Sequence, residues 1–258
     1  MMWRGIRITV LLLVLIVVAG QAWLDKHTTT SWQRTVFVGA FPVSADGSAL
    51  SSAYLQQLEP ADLEGVTRFI NAEAHRYGIA LDEPLNLTLY PPLAEAPPVL
   101  APGSGALTRL LWSLKLRYYR WRMLGHVTRA KPQIALFLLY HDPALASALP
   151  HSAGLQRGLT GVVHLFASRG QEAQNRIVIA HELLHTFGAT DKYAPDSGLP
   201  QFPEGYADPE QSPRYPQQQA ELMAGRLPLS ATEAVMPDSL ASVRIGPLSA
   251  REIGWVKP

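Results

Sequence analysis

Residues 181–191 read His-Glu-Leu-Leu-His-Thr-Phe-Gly-Ala-Thr-Asp, and no other stretch of the 258-residue chain narrows its structure as much. A helix through this run puts His181 and His185 one turn apart on one face, so both imidazoles can reach a single metal ion. Glu182 then projects beside that ion, where a carboxylate polarises water rather than ligates. Gly188 lets the helix stop abruptly, because a residue without Cβ takes the left-handed conformation that a helix terminus needs. The chain beyond it can turn back and offer Asp191 as a third ligand. Histidines on a helix also serve as caps or packing residues. In this run, however, Ile177, Val178, Ile179, Ala180, Leu183, Leu184 and Phe187 make the helix largely buried. Buried imidazoles and carboxylates need partners or a metal. The pattern points to one zinc ion with an open fourth position.

Two glutamates compete with Asp191 for the third position. Glu204 sits among Phe202, Pro203, Gly205 and Tyr206, in what reads as a loop, and Glu221 precedes Met223 by two residues. Spacing alone leaves all three open.

The run His-Glu-x-x-His-x-x-Gly-x-x-Asp resembles the metzincin zinc peptidases, and among them the snapalysin-like secreted enzymes, in which aspartate replaces the usual third histidine. Ala220-Glu221-Leu222-Met223-Ala224-Gly225 is similar to the Met-turn segment of that group, and Tyr193 fits its pattern two residues after Asp191. The resemblance implies a metzincin-like zincin fold and a zinc endopeptidase. In it His181, His185 and Asp191 bind one catalytic zinc, Glu182 is the base and Met223 underlies the site. Met236, in Val235-Met236-Pro237, is an alternative turn methionine, and a methionine also serves as plain core filler. The similarity covers about a quarter of the chain. The amino-terminal half matches in layout only, and the Pro- and Gly-rich insert between Asp191 and Met223 departs from the pattern.

Arg4 and Arg7 precede an apolar run from Ile8 to Ala19, bracketed by Trp3 and Trp23. Arginines ahead of such a run keep the start cytoplasmic and send the downstream chain across the membrane. Ile6 to Trp23 spans about 18 residues, near the lower limit for a transmembrane helix. Residues 1–25 are therefore expected to be a single-pass anchor, with 26–258 as a periplasmic or extracellular domain. A cleaved signal peptide ending near Gly20-Gln21-Ala22 is the rival, and would make the protein secreted. The chain has no cysteine, so disulfides and thiolate ligands are excluded. A net charge of +1 gives no overall case for nucleic acid as a partner.

Sequence pattern predicts strands at 35–41, 85–90, 134–140 and 161–167, the third a continuous apolar run of a central strand. Helices are expected over 51–77, with Pro60 starting a second segment, over 107–124, and from about Glu172 through the zinc run. A short final helix at 249–255 would take Ser249 as its cap. This order predicts an α/β (α+β) protein, a mixed sheet with helices packed on it.

The helix at 107–124 interleaves Arg109, Lys115, Arg117, Arg120 and Arg122 with Trp112, Tyr118, Tyr119 and Trp121. A basic face resting on anionic lipid and a half-buried helix whose arginine stems cover apolar surface are both consistent with it. Of the histidines outside the motif, His164 is the one expected near the cleft. The sequence thus leads to a membrane-anchored, extracytoplasmic zinc endopeptidase acting on peptide or protein substrates. An extended peptide would add to an edge strand near 161–167, and Tyr193 is a candidate oxyanion donor. A non-catalytic metal-binding or scaffold domain of an envelope complex, and a zinc hydrolase of a non-peptide bond, are the alternatives.

Overall fold

Ile134–His141 (β3) is apolar at nearly every position, and in the computed structural model it lies at the centre of a five-stranded sheet. The structure describes residues 29–256 apart from 102, 129, 151 and 156–158, together with residues 7, 12 and 20. The other strands are β1 (Val36–Ser44), β2 (Leu85–Leu89), β4 (Ala153–Leu155) and β5 (Thr160–Phe166), in the order β2-β1-β3-β5-β4. Four strands run parallel, and β4 lies antiparallel to β5 at one edge.

Parallel neighbours need crossover connections; helices supply those from β1 to β2 and from β2 to β3, while β3 reaches β5 by way of β4 with no helix among the described residues. Helices α1 (Ala49–Gln56) and α2 (Ala61–Arg76) follow β1, α3 (Ala106–Gly125) follows β2, and α4 (Glu172–Phe187) follows β5. Ser48 caps α1 by accepting the Ser51 amide, and Pro60 opens α2 where its missing N–H costs nothing. Strand side chains alternate between the two faces. Leu136, Leu138 and Tyr140 of β3 pack in the same cluster as residues of α1, α2 and α4. Ala135, Phe137 and Leu139 pack with Trp112, Leu116 and Tyr119 of α3 on the opposite face.

Beyond α4 the chain is irregular. It carries two-residue strands β6 (Ala220–Glu221), β7 (Leu227–Pro228), β8 (Ala234–Val235) and β9 (Val243–Arg244), then α5 (Pro247–Glu252). The indole N–H of Trp32 donates to Ile253 O at 2.7 Å, tying the entry to β1 to this last segment.

The expected mixed α/β architecture is present, with three corrections. Ser249 does not cap the last helix: Pro247 occupies the first turn after Gly246, and Ser249 lies inside. Strand β4 has no counterpart among the expected strands. Because β4 covers it, the strand at 160–166 is interior and not the sheet edge. The expected anchor, 1–25, falls outside the described residues save for 7, 12 and 20; among the described residues no helix is long and apolar enough to cross a membrane.

Candidate metal centre

Helix α4 ends in a Schellman turn. Gly188 takes φ +110°, its N–H donates to His185 O at 3.1 Å, and the Ala189 N–H donates to Leu184 O at 3.1 Å. That turn aims the Ala189 carbonyl back at the helix, where it accepts the Nδ1 proton of His185 at 2.8 Å. One turn earlier, His181 donates its Nδ1 proton to Leu222 O at 2.9 Å. A carbonyl can only accept, so each neutral ring carries its proton on Nδ1 and presents a bare Nε2 lone pair.

The two Nε2 atoms are 3.1 Å apart, and Asp191 Oδ1 lies 3.1 Å from one and 3.2 Å from the other. A tetrahedral zinc site with bonds of about 2.0–2.1 Å has donor–donor edges of about 3.3–3.4 Å. Three electron-rich atoms converging this closely repel one another unless a cation or protons stand among them. Each imidazole is also fixed from behind by a carbonyl, as ligating histidines are. The donor set and its spacing fit zinc.

Electrostatics follow the same geometry. Burial pushes the Asp191 carboxyl up, but its close pairing with the His181 and His185 rings outweighs this and holds the group well below the usual carboxylate range. Burial disfavours the charged form of His181, yet Asp191, Glu182 and the Leu222 carbonyl together move it upward. Glu182 is buried, and burial raises its carboxyl, with His181 and His185 partly offsetting that. One of its oxygens accepts the Gly154 amide, while Oε2 is buried with no hydrogen-bond partner. A Glu182 oxygen lies within 4.8 Å of the imidazole ligand atoms. Strand β4 presses directly on this group: a Cβ on Gly154 would sit 2.5 Å from Glu182 O and from His185 Cβ. On the other side the centre opens to water, with the Asp191 side chain 40% exposed.

The loop carrying Asp191 is clamped from both sides. The Lys192 amide donates to Met223 O at 3.0 Å. Its buried ammonium donates to Glu252 Oε2 at 2.8 Å and to Thr190 O at 2.8 Å, and Glu252 also accepts the Thr190 amide and hydroxyl. Sequence pattern does not reveal Lys192 and Glu252, since the two stand 60 residues apart with no local signal joining them.

The other candidates separate cleanly. Glu204 is exposed in a loop. Glu221 is fully buried, but its carboxylate accepts from Gly246 N, Ser249 Oγ and Ala224 N at 2.7–3.0 Å, so it holds a turn together away from the histidines. Met223, the residue after Leu222, is fully buried, whereas Met236 is 42% exposed. Burial, and then the charge of nearby Asp191, push the Tyr193 phenol up. His164 corrects an expectation: it shares a strand face with Val162, on the α3 side of the sheet, and pairs with His141 at 2.8 Å. Compared with known families and characterised proteins, the chain matches no family model and no curated sequence.

Proposed function

We propose that this chain is a zinc-dependent endopeptidase of metzincin-like, snapalysin-like organisation, held at a membrane by residues 1–25 with its catalytic domain outside the cytoplasm. The observation that carries the reading is the convergence of His181 Nε2, His185 Nε2 and Asp191 Oδ1 beside the unpartnered Oε2 of Glu182. His181, His185 and Asp191 would hold the ion. When bound, zinc supplies Lewis acidity and lowers the pKa of water at its open position to about 7.

Glu182 Oε2 is the proton acceptor. It is buried, free of other hydrogen bonds and oriented by the Gly154 amide through its second oxygen, so it takes the proton of the attacking water and returns it to the leaving amine. Tyr193, whose ionisation the charge of Asp191 disfavours, is the candidate oxyanion donor. Strand β4 pairs only with β5 among the described residues, leaving its outer edge to an extended peptide. That edge runs over Glu182 and His185, which brings a bound backbone to the reacting groups.

Cleavage profiling on a broad peptide library tests the reading. Products are expected from the wild type, lost with a chelator and restored by zinc. A folded, zinc-loaded chain that cleaves nothing in the library would favour the scaffold alternative.

A further inference from the structure

Helix α3 buries one face and offers water an equally apolar one. Trp112, Leu116, Tyr119 and Leu124 face the sheet, while Leu107, Leu110, Leu111, Leu114, Tyr118 and Trp121 are each more than half exposed. At about 100° per residue the outward six fall within an arc of about 100°. Their spacing makes a continuous stripe of the kind that marks a docking site on a soluble surface.

Charge identifies what the stripe meets. Residues 106–125 contain five cations and no acid. On the same helical wheel Arg117 borders the stripe on one side and Lys115 and Arg122 on the other, while Arg109 and Arg120 lie round toward the sheet. Arg122 also pairs with Glu95. Aromatic tips and flexible cationic stems beside a leucine stripe suit the boundary between acyl chains and phosphate head groups. At the carboxy-terminal end of α3, Arg117, Arg120, Arg122 and Lys131 line a cavity of about 450 Å³ with Trp121 on its wall. That cavity has the charge and size for a lipid phosphate.

The end of α3 also lies where the chain enters the sheet. Arg120 donates to Gln133 O at 2.8 Å, and Gln133 Oε1 accepts the amide of Phe37, the second residue of β1.

We propose that the outward face of α3 docks on an anionic bilayer, giving the domain a second membrane contact that fixes its orientation. The proposal rests on the membrane half of the reading above, and not on its peptidase half.

The chain has no cysteine, so a single introduced one labels cleanly. Full-length Tyr118→Cys, and separately Leu114→Cys, would carry an environment-sensitive fluorophore in nanodiscs of phosphatidylcholine alone or with phosphatidylglycerol. Co-elution with the discs tests the anchor, and the label tests the docking. The expected result is a blue-shifted label shielded from aqueous iodide in the anionic discs only. The shift should be lost with Lys115→Glu plus Arg117→Glu, and absent for a label on exposed Ser197. No shift in either disc, an equal shift in both, or Tyr118→Cys cross-links between two chains would overturn the proposal.

Discussion

His181 and Leu222 stand 41 residues apart, yet the Nδ1 proton of one meets the carbonyl of the other at 2.9 Å. The bond locks the imidazole tautomer from outside its own helix, and the residue after the acceptor is the fully buried Met223. Packing at Met223 therefore reaches the ligand through one peptide unit. Met223→Ala should lower stability by about 2–5 kcal/mol and weaken metal binding, whereas Met223→Leu should cost less than about 1.5 kcal/mol. Denaturant titration and zinc affinity measured on both variants check this.

Asp191 and Glu221 should fail in different ways. Asp191→Ala removes one donor from the converging set and should cost more zinc affinity than the about 10–100-fold typical of outer partners. Glu221→Ala leaves buried donors at Gly246, Ser249 and Ala224 without their acceptor. It should cost stability by more than about 2 kcal/mol while the folded fraction keeps its metal. Glu204→Ala should change neither. An Asp191→Ala protein with wild-type zinc affinity would remove the aspartate from the ligand set.

Gly188 links backbone conformation to the site. A side chain at φ +110° is strained, and the same turn sets the Ala189 carbonyl that orients His185. Gly188→Ala should lose about 1–2 kcal/mol of stability and about 10–100-fold in metal affinity. Loss of stability with unchanged affinity would separate the turn from the ligand.

These features divide into those the sequence displays and those it hides. The helix at 172–187, its stop at Gly188 and the central run at 134–141 are local patterns of period and glycine placement, and they are legible. The edge strand β4 is three residues long, without the alternation that marks a strand. Glu221 reads as a ligand candidate in sequence because its partners at Gly246 and Ser249 lie 25 and 28 residues on. Ser249 reads as a cap because its hydroxyl suits one, but tertiary contact with Glu221 claims it. The side of the sheet that His164 faces depends on strand parity, which needs the neighbouring core to be known.

His164 provides a pH signature separate from the metal centre. Burial and the nearby His141 depress it from 6.5 to about 4, while its backbone amide donates to Ser152 Oγ and Asp46 faces His141. The native state therefore refuses a proton that the unfolded chain accepts below about pH 6.5. This contribution to stability is fully present above that pH. It declines as the pH falls toward 4, by at most about 3 kcal/mol. Urea unfolding across that range should show a steeper acid loss for wild type than for His164→Gln; equal slopes would contradict it.

Bound zinc and peptide hydrolysis, measured on the same preparations of wild type and Glu182→Gln, test the central claim most directly. The amide keeps the shape of Glu182 but cannot take a proton. The account predicts about one zinc per chain in both proteins and hydrolysis slower by about 10²–10⁴-fold in the variant. Glu182→Gln cleaving at the wild-type rate with zinc bound, or wild type cleaving at full rate without metal, would contradict it.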